Sequence, residues 1–324
     1  MADLAKPGSF EAFLDTSSAE RDLIAELLAD KRSPATRRAY LGDLKDFFLT
    51  VTRAEASPRL VREFLQLDRA TAIAAVTKYK ALLITAGKSE ATVNRRLAAV
   101  KSLVRYAQNC GQCEWSLESV RGERVQGYRD TTGISIAAYA KVIAQPKRRS
   151  LKGKRDYAIL RLLWDNALRR AEVSSCDVQN FDPDRKQLAI LGKGKGTQLV
   201  NVSISDKTIS ALSVWLQARD RKQPFKATDP LFISLASNSW GHRLTGSAIY
   251  NLVRAYAKAA GLVKIFSPHR VRHSATTAAL GATGGDVLTV QMLTRHAKIE
   301  TLMLYNDNRE NRQGDVSEQL ADLA

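Results

Sequence analysis

Three times the chain places Ser-Pro directly before a run in which apolar residues recur at spacings of three and four: at Ser33-Pro34, Ser57-Pro58 and Ser267-Pro268. A serine side chain accepts from the first free N–H groups of a helix, and proline suits its first position, where no N–H is needed. Each pair therefore marks a helix start, and the periodicity marks the face that is buried. Behind Ser33-Pro34 the stripe is Tyr40, Leu44, Phe47, Phe48 and Val51. A shorter helix with Phe64 and Leu65 follows Ser57-Pro58. Asp68 opens a helix with Ile73, Val76, Tyr79, Leu82 and Leu83 on one face, and Ser89 caps one striped by Val93, Leu97, Val100, Leu103 and Val104. Four or five helices on short connections make a small helical bundle.

The periodicity stops in the polar, glycine-bearing stretch 118–133. The expected organisation is a helical domain over 1–120, a linker over 121–133 and a second domain over 134–324. In the second domain, 136–143 and 157–164 read as helices. Cys176 to Phe181, Leu188 to Leu191 and Gln198 to Val202 read as short strands. Asp182-Pro183-Asp184 and the run Gly192 to Gly196 supply the turns between them. Helices follow at about 206–221, 245–260, 268–280, 285–294 and 298–304. The fold class is mainly α, with a small antiparallel β-sheet confined to the C-terminal domain.

Charge narrows the function. Lys and Arg number 50 against 33 Asp and Glu, a net of +17, and residues 129–324 hold 30 of the basic residues against 17 acidic ones. Such a surface suits a polyanion. Arg37, Arg38, Arg95, Arg96 and Lys101 lie off the apolar stripes, where they face either DNA or solvent. No window is apolar enough to span a bilayer, and the first residues lack the apolar core of a secretory signal. Three cysteines exclude a disulfide scaffold and fit a reducing compartment. Cys110 and Cys113 form a lone C-G-Q-C with no second ligand pair, so they read as structural, and Cys176 reads as core.

Four short motifs carry chemistry. In H-R-V-R-H, His269 and Arg272 are three apart on one face of a helix N-terminus, whose free N–H groups suit a phosphate. A zinc reading of His269 and His273 lacks the glutamate of H-E-x-x-H and is opposed by two arginines. In N-A-L-R-R-A-E-V, Arg169 and Glu172 share a face. Lys193 sits in G-K-G-K-G, which is not a Walker loop. His296 and Tyr305 lie nine residues apart near the C-terminus. Together, Arg169, Lys193 24 residues later, His269-x-x-Arg272, His296 and Tyr305 resemble the tyrosine site-specific recombinases (phage integrases, Cre-like and Xer-like enzymes). T-R-R-A-Y-L-G-D-L-K-D-F-F and A-T-V-N-R-R-L-A-A-V-K-S-L-V-R-Y-A resemble that family's core-binding domain. Two positions depart. The family often has Thr-Gly where Asn166-Ala167 stands, and Leu-Gly-His where Thr294-Arg295-His296 stands, which puts a cation where it either contacts DNA or tunes the pocket.

The resemblance implies a recombinase that cleaves and rejoins DNA through a 3′-phosphotyrosyl intermediate, with no metal, ATP or other cofactor. Tyr305 is the implied nucleophile, and Arg169, Arg272 and His296 the donors to the phosphate. Lys193 is the general acid, His269 a base or hydrogen-bond partner of Tyr305, and Glu172 the group that orients Arg169 or His269; His273 is structural. The implied DNA-facing residues are Arg37, Arg38, Thr92, Asn94, Arg95, Arg96 and Lys101 in the first domain and Thr245, Ser247 and Tyr250 in the second. The implied partners are duplex DNA with paired inverted half-sites and further copies of the chain, a dimer per site and a tetramer in synapsis. The setting is cytoplasmic, at the nucleoid of a bacterium or its phage, with no membrane. A type IB topoisomerase-like enzyme and a non-catalytic architectural DNA-binding protein are the alternatives. In the tail, Asp315 is expected to cap a helix striped by Val316, Leu320 and Leu323 that docks on an adjacent subunit.

Overall fold

The computed structural model describes residues 21–125, 133–192, 196–262, 266–300, 302, 303, 305 and 312–323. The chain divides into two compact units between Tyr128 and Arg129.

The first unit is helical: α1 (Leu23–Ala29), α2 (Pro34–Thr52), α3 (Pro58–Leu65), α4 (Arg69–Thr85) and α5 (Glu90–Asn109). Ser33 Oγ accepts from Thr36 N, Ser57 Oγ from Leu60 N and an Asp68 oxygen from Thr71 N, so three of the four sequence caps make their bonds. Ser89 instead bonds the Thr92 hydroxyl at 3.0 Å. The core is aromatic. Phe47 meets Phe48, Phe64 and Tyr79 edge-on, with centroids 5.1–5.2 Å apart, and Phe64 meets Trp115 in the same way. Such pairs add about 0.5–1.5 kcal/mol each beyond burial. Cys113 is buried, its thiol donating to the Trp115 carbonyl at 3.3 Å, and Cys110 is half-buried.

The start of the expected linker belongs to this unit. Asn94 donates to the Glu123 carbonyl at 2.8 Å and accepts from Glu123 N at 2.6 Å; Lys101 and Lys80 donate to the carbonyls of Val120 and Arg121. A Cβ on Gly122 would fall 2.5 Å from Asn94 Oδ1, so a larger residue there would push the Asn94 side chain off its bonds to the strap.

The second unit is built around α7 (Leu151–Asp165), which follows α6 (Ile136–Ala144). α7 begins six residues before its apolar stripe, because Ser150 caps it through Gly153 N at 3.0 Å. Ile159, Leu160, Leu162 and Leu163 are fully buried. Next come α8 (Arg170–Ser175), β1 (Phe181–Asp182), β2 (Gln187–Leu191), β3 (Leu199–Ser203), α9 (Asp206–Asp220), α10 (Gly246–Ala259), α11 (Pro268–Ala282), α12 (Val287–Thr294) and α13 (Arg312–Ala321). α9 and α11 pack on α7. The sheet is antiparallel in the order β1-β2-β3, with Leu188 opposite both Phe181 and Val202.

Two expectations change. The strand expected over Cys176 to Phe181 is only Phe181–Asp182, because Asp177 N donates to Asn180 Oδ1 at 2.7 Å and closes a 3₁₀ turn over Val178–Asn180. A short polar side chain here competes with the ladder for the backbone. Asp315 does not cap the tail helix, which already runs from Arg312 through Gly314. No helix among the described residues is long and apolar enough to cross a membrane.

Candidate active site

The site lies in the second unit, where the end of α7, the start of α8, the N-terminus of α11 and the end of α12 converge. After α7 the backbone turns through Asn166, Ala167 and Leu168, all buried. Leu168 anchors the turn in the core and leaves Arg169 as the residue that starts α8. Glu172, buried at 1% exposure, receives Arg169 twice: the backbone N–H at 2.8 Å on Oε2 and Nη1 at 2.7 Å on Oε1. The Arg–Glu spacing read from the sequence is therefore a buried clasp, not a solvated surface pair, and a carboxylate removed from water tolerates this site only when paired in this way.

α11 starts at Ser267-Pro268, with Ser267 Oγ accepting from Arg270 N. His269 is exposed on the first turn and Arg272 is 3% exposed one turn on. Arg272 donates to the carbonyls of Ala167 and Thr294, joining the α7–α8 turn to the end of α12, and its Nη2 lies 3.3 Å from His296 Nε2. Burial and the neighbouring Arg169 push its pKa down to about 9, which leaves it charged at neutral pH. Arg169, Arg170, Tyr250, Ser267, His269 and Arg272 line one open cleft of about 450 Å³. A helix N-terminus and three guanidinium groups facing one cleft make an anion site.

The proton on His296 can be assigned. Thr294 Oγ1 has one hydrogen and gives it to the Val290 carbonyl at 2.8 Å, so toward His296 Nδ1, 2.9 Å away, it accepts. Nδ1 carries the proton and Nε2 accepts from Arg272. In this arrangement His296 supports Arg272. Burial and then the charges of Arg272 and Arg169 push its pKa from 6.5 down to about 4. The unfolded chain thus binds more protons than the fold between those values. The histidine's share of stability is complete above about pH 6.5 and is lost as pH falls toward 4. Thermal unfolding across that range should therefore show a steeper acid loss for the wild type than for His296→Gln; equal slopes would remove His296 as the cause.

Tyr305 packs with Leu280, Val290 and Leu302, and its hydroxyl shares a hydrogen bond with His273 Nδ1. The histidine expected at Tyr305 was His269. The structure puts His273 there instead, with the His269 ring edge-on behind it at 4.1 Å. Arg272 and His269 turn toward the cleft, and the next residue along the helix turns inward. The fourth-residue spacing from His269 to His273 was legible; the inward turn of His273 was not. Lys193 lies outside the described residues. No group of three His, Cys, Asp or Glu that could hold a metal ion occurs among the described residues.

A family model for the phage integrase family matches residues 137–312, over half of the chain. The chain belongs to the phage integrase family. The family's N-terminal SAM-like domain matches residues 21–111. A tyrosine recombinase of Synechocystis sp. is 50% identical over 95% of this chain and 97% of its own, and one of Synechococcus elongatus is 48% identical over 93% of each. A solved structure of XerH site-specific recombinase bound to palindromic difH substrate shares the fold, with TM-score 0.64 and 20% identity over 87% of this chain and 79% of that one. This integrase-family chain is an enzyme, a tyrosine recombinase. Its two departures fall on the same kind of backbone: Ala167 has φ 46° and Arg295 φ 56°, both left-handed. Both stand where the resemblance leads one to expect glycine, and glycine adopts such a backbone freely.

The DNA-facing expectations divide. Arg38 and Ser247 are exposed. Arg37 is exposed, with Nε on the Lys31 carbonyl. The Tyr250 ring has the guanidinium groups of Arg170 and Arg254 at 6.0 and 5.7 Å from its centroid. Thr245 caps α10 through Ala248 N. Three others are turned inward: Asn94 and Lys101 hold the 120–123 strap, and Arg96 pairs with Asp46 at 17% side-chain exposure. Arg96 braces the bundle because α2 presents Asp43 and Asp46 to α5. Arg95 also pairs with Asp43 but stays 46% exposed, and Thr92 bonds Ser89.

Proposed function

We propose that the enzyme performs site-specific recombination by metal-free transesterification at Tyr305. The observation that carries this reading is the convergence of Arg169, Arg272 and the α11 N-terminus on one cleft, with the Tyr305–His273 pair behind Arg272. A free tyrosine has a pKa of about 10, so attack at neutral pH needs a proton acceptor, and His273 is in contact to take the proton. Tyr305 Oη bonds to phosphorus, the bond to the 5′ oxygen breaks, and Lys193 gives that oxygen its proton. Arg169 and Arg272 form charge-assisted bonds to the phosphate oxygens as charge grows on them. The product is a 3′-phosphotyrosyl enzyme with a free 5′-hydroxyl. Attack by a 5′-hydroxyl of another duplex reverses the step and joins new strands without ATP.

The partner is duplex DNA with inverted half-sites, held by a dimer that pairs into a tetramer, in the cytoplasm at the nucleoid. The DNA and the assembly in this reading are supported by lambda integrase, which shares the fold and is solved as a dimer on a COC′ core site and as a tetramer on a Holliday junction. The exposed tail stripe of Val316, Leu320 and Leu323 fits docking on a neighbouring copy.

The test is selection of bound DNA followed by covalent trapping on a nicked form of the recovered site, with and without excess EDTA. Because the charge stabilisation comes from side chains, adducts should form equally under chelation. Cleavage lost in EDTA and restored by magnesium or zinc would refute the mechanism. Relaxation of supercoils without synapsis of two sites would favour the topoisomerase reading.

A further inference from the structure

Arg295 ends α12 in the left-handed conformation, the cap position that favours glycine. Arg53 ends α2 in the same way, but there the side chain is exposed and the cap is a surface feature. Arg295 differs: its side chain is 17% exposed and reaches inward across the site. Nη2 lies 3.3 Å from Glu172 Oε2 and 3.4 Å from the Asn166 carbonyl, and Nη1 donates to the Leu293 carbonyl at 2.5 Å. Both oxygens of Glu172 are thereby occupied, Oε1 by Arg169 Nη1 and Oε2 by Arg169 N and Arg295.

We propose that Arg295 is a positioning residue for strand cleavage: it clamps Glu172 and so fixes the Arg169 guanidinium toward the cleft. The proposal rests on the reading above that Arg169 binds the phosphate. Two physical effects follow. Arg295 ties the α12 end to the same α7–α8 turn that Arg272 holds, so Arg169 and Arg272 are set relative to one another by two crossing links. It also shares the negative charge of Glu172. Without it, one carboxylate would be balanced by Arg169 alone, and less of the Arg169 charge would be left for a phosphate gaining charge in the transition state. A buried arginine in a left-handed backbone conformation carries a cost, and these bonds act against it.

The test uses the full chain and a nicked duplex carrying its selected site. Single-turnover adduct formation at saturating protein is measured beside the dissociation constant, for wild type, Arg295→Gly, Arg295→Lys, Glu172→Gln and the double variant Arg295→Gly/Glu172→Gln. Glycine adopts φ near 56° freely, so Arg295→Gly should fold. Its adduct rate should fall about 10- to 100-fold, the scale of one charge-assisted bond, while binding stays within about twofold. Lysine should recover part of the rate, and the double variant should be no slower than Glu172→Gln, because both changes remove one coupled link. An unchanged rate, a multiplicative double variant, or a loss of binding that matches the loss of rate would each overturn the proposal. If Tyr305→Phe forms as many adducts as the wild type, the recombination reading itself has failed and the proposal falls with it.

Discussion

Tyr305→Phe should bind its DNA site with wild-type affinity and form no covalent adduct. The change removes one oxygen and leaves the ring, which is 4% exposed among Leu280, Val290 and Leu302, where phenylalanine fills the same space. The hydroxyl lost is the one that meets His273 Nδ1, so a buried ring nitrogen loses a partner. That costs about 1–3 kcal/mol, enough to lower the melting temperature by several degrees without unfolding the chain. A denaturing gel on the nicked substrate reads the adduct, and a mobility shift reads binding. Adducts that persist would move the nucleophile. Tyr256 is then a poor alternative, since its hydroxyl donates to Asp156 at 2.8 Å and it lies at the far end of α7 from Arg169. Tyr250 lines the cleft and is the residue to replace next.

Much of this site was legible because its parts are local. Ser267-Pro268 fixes where α11 begins, and that start sets His269 and Arg272 on one face before any tertiary contact forms. The Arg169–Glu172 clasp is a three-residue spacing at a helix start. What was not legible depends on contacts across long separations. Arg96 and Asn94 look like free polar positions on a helix until α2 supplies Asp46 and the 120–123 strap comes back over α5. His273 looks structural beside His269 until Tyr305, 32 residues later, is placed against it. The direction of Arg295 follows from a left-handed backbone that the sequence does not announce, because arginine is not the residue that usually marks such a position. The expected strand at Cys176 failed for a local reason: Asn180 offers the backbone a shorter-range bond than the sheet does.

Replacing the two cleft arginines Arg169 and Arg272 by lysine should separate chemistry from architecture. Arg272→Lys keeps the charge but not the planar fork. The guanidinium donates to two carbonyls on different segments, Ala167 and Thr294, and to His296 Nε2, from a position 3% exposed. An ammonium group at the end of a flexible stem cannot serve two segments and a phosphate together. The expected loss of cleavage rate is on the order of 10²–10³. Each carbonyl left buried without a donor costs a further about 1–3 kcal/mol in stability. Arg169→Lys makes the opposite case. Its side chain is 28% exposed and, among the described residues, bonds Glu172, which a lysine still pairs with. Its cleavage rate should fall on a similar scale while its melting temperature stays within about 2 °C of the wild type. Single-turnover cleavage and thermal unfolding on the two variants decide the matter. A variant at Arg272 that cleaves within tenfold of the wild type would show that the buried fork is a strut of the fold and that the phosphate is bound by Arg169 and the α11 N-terminus without it.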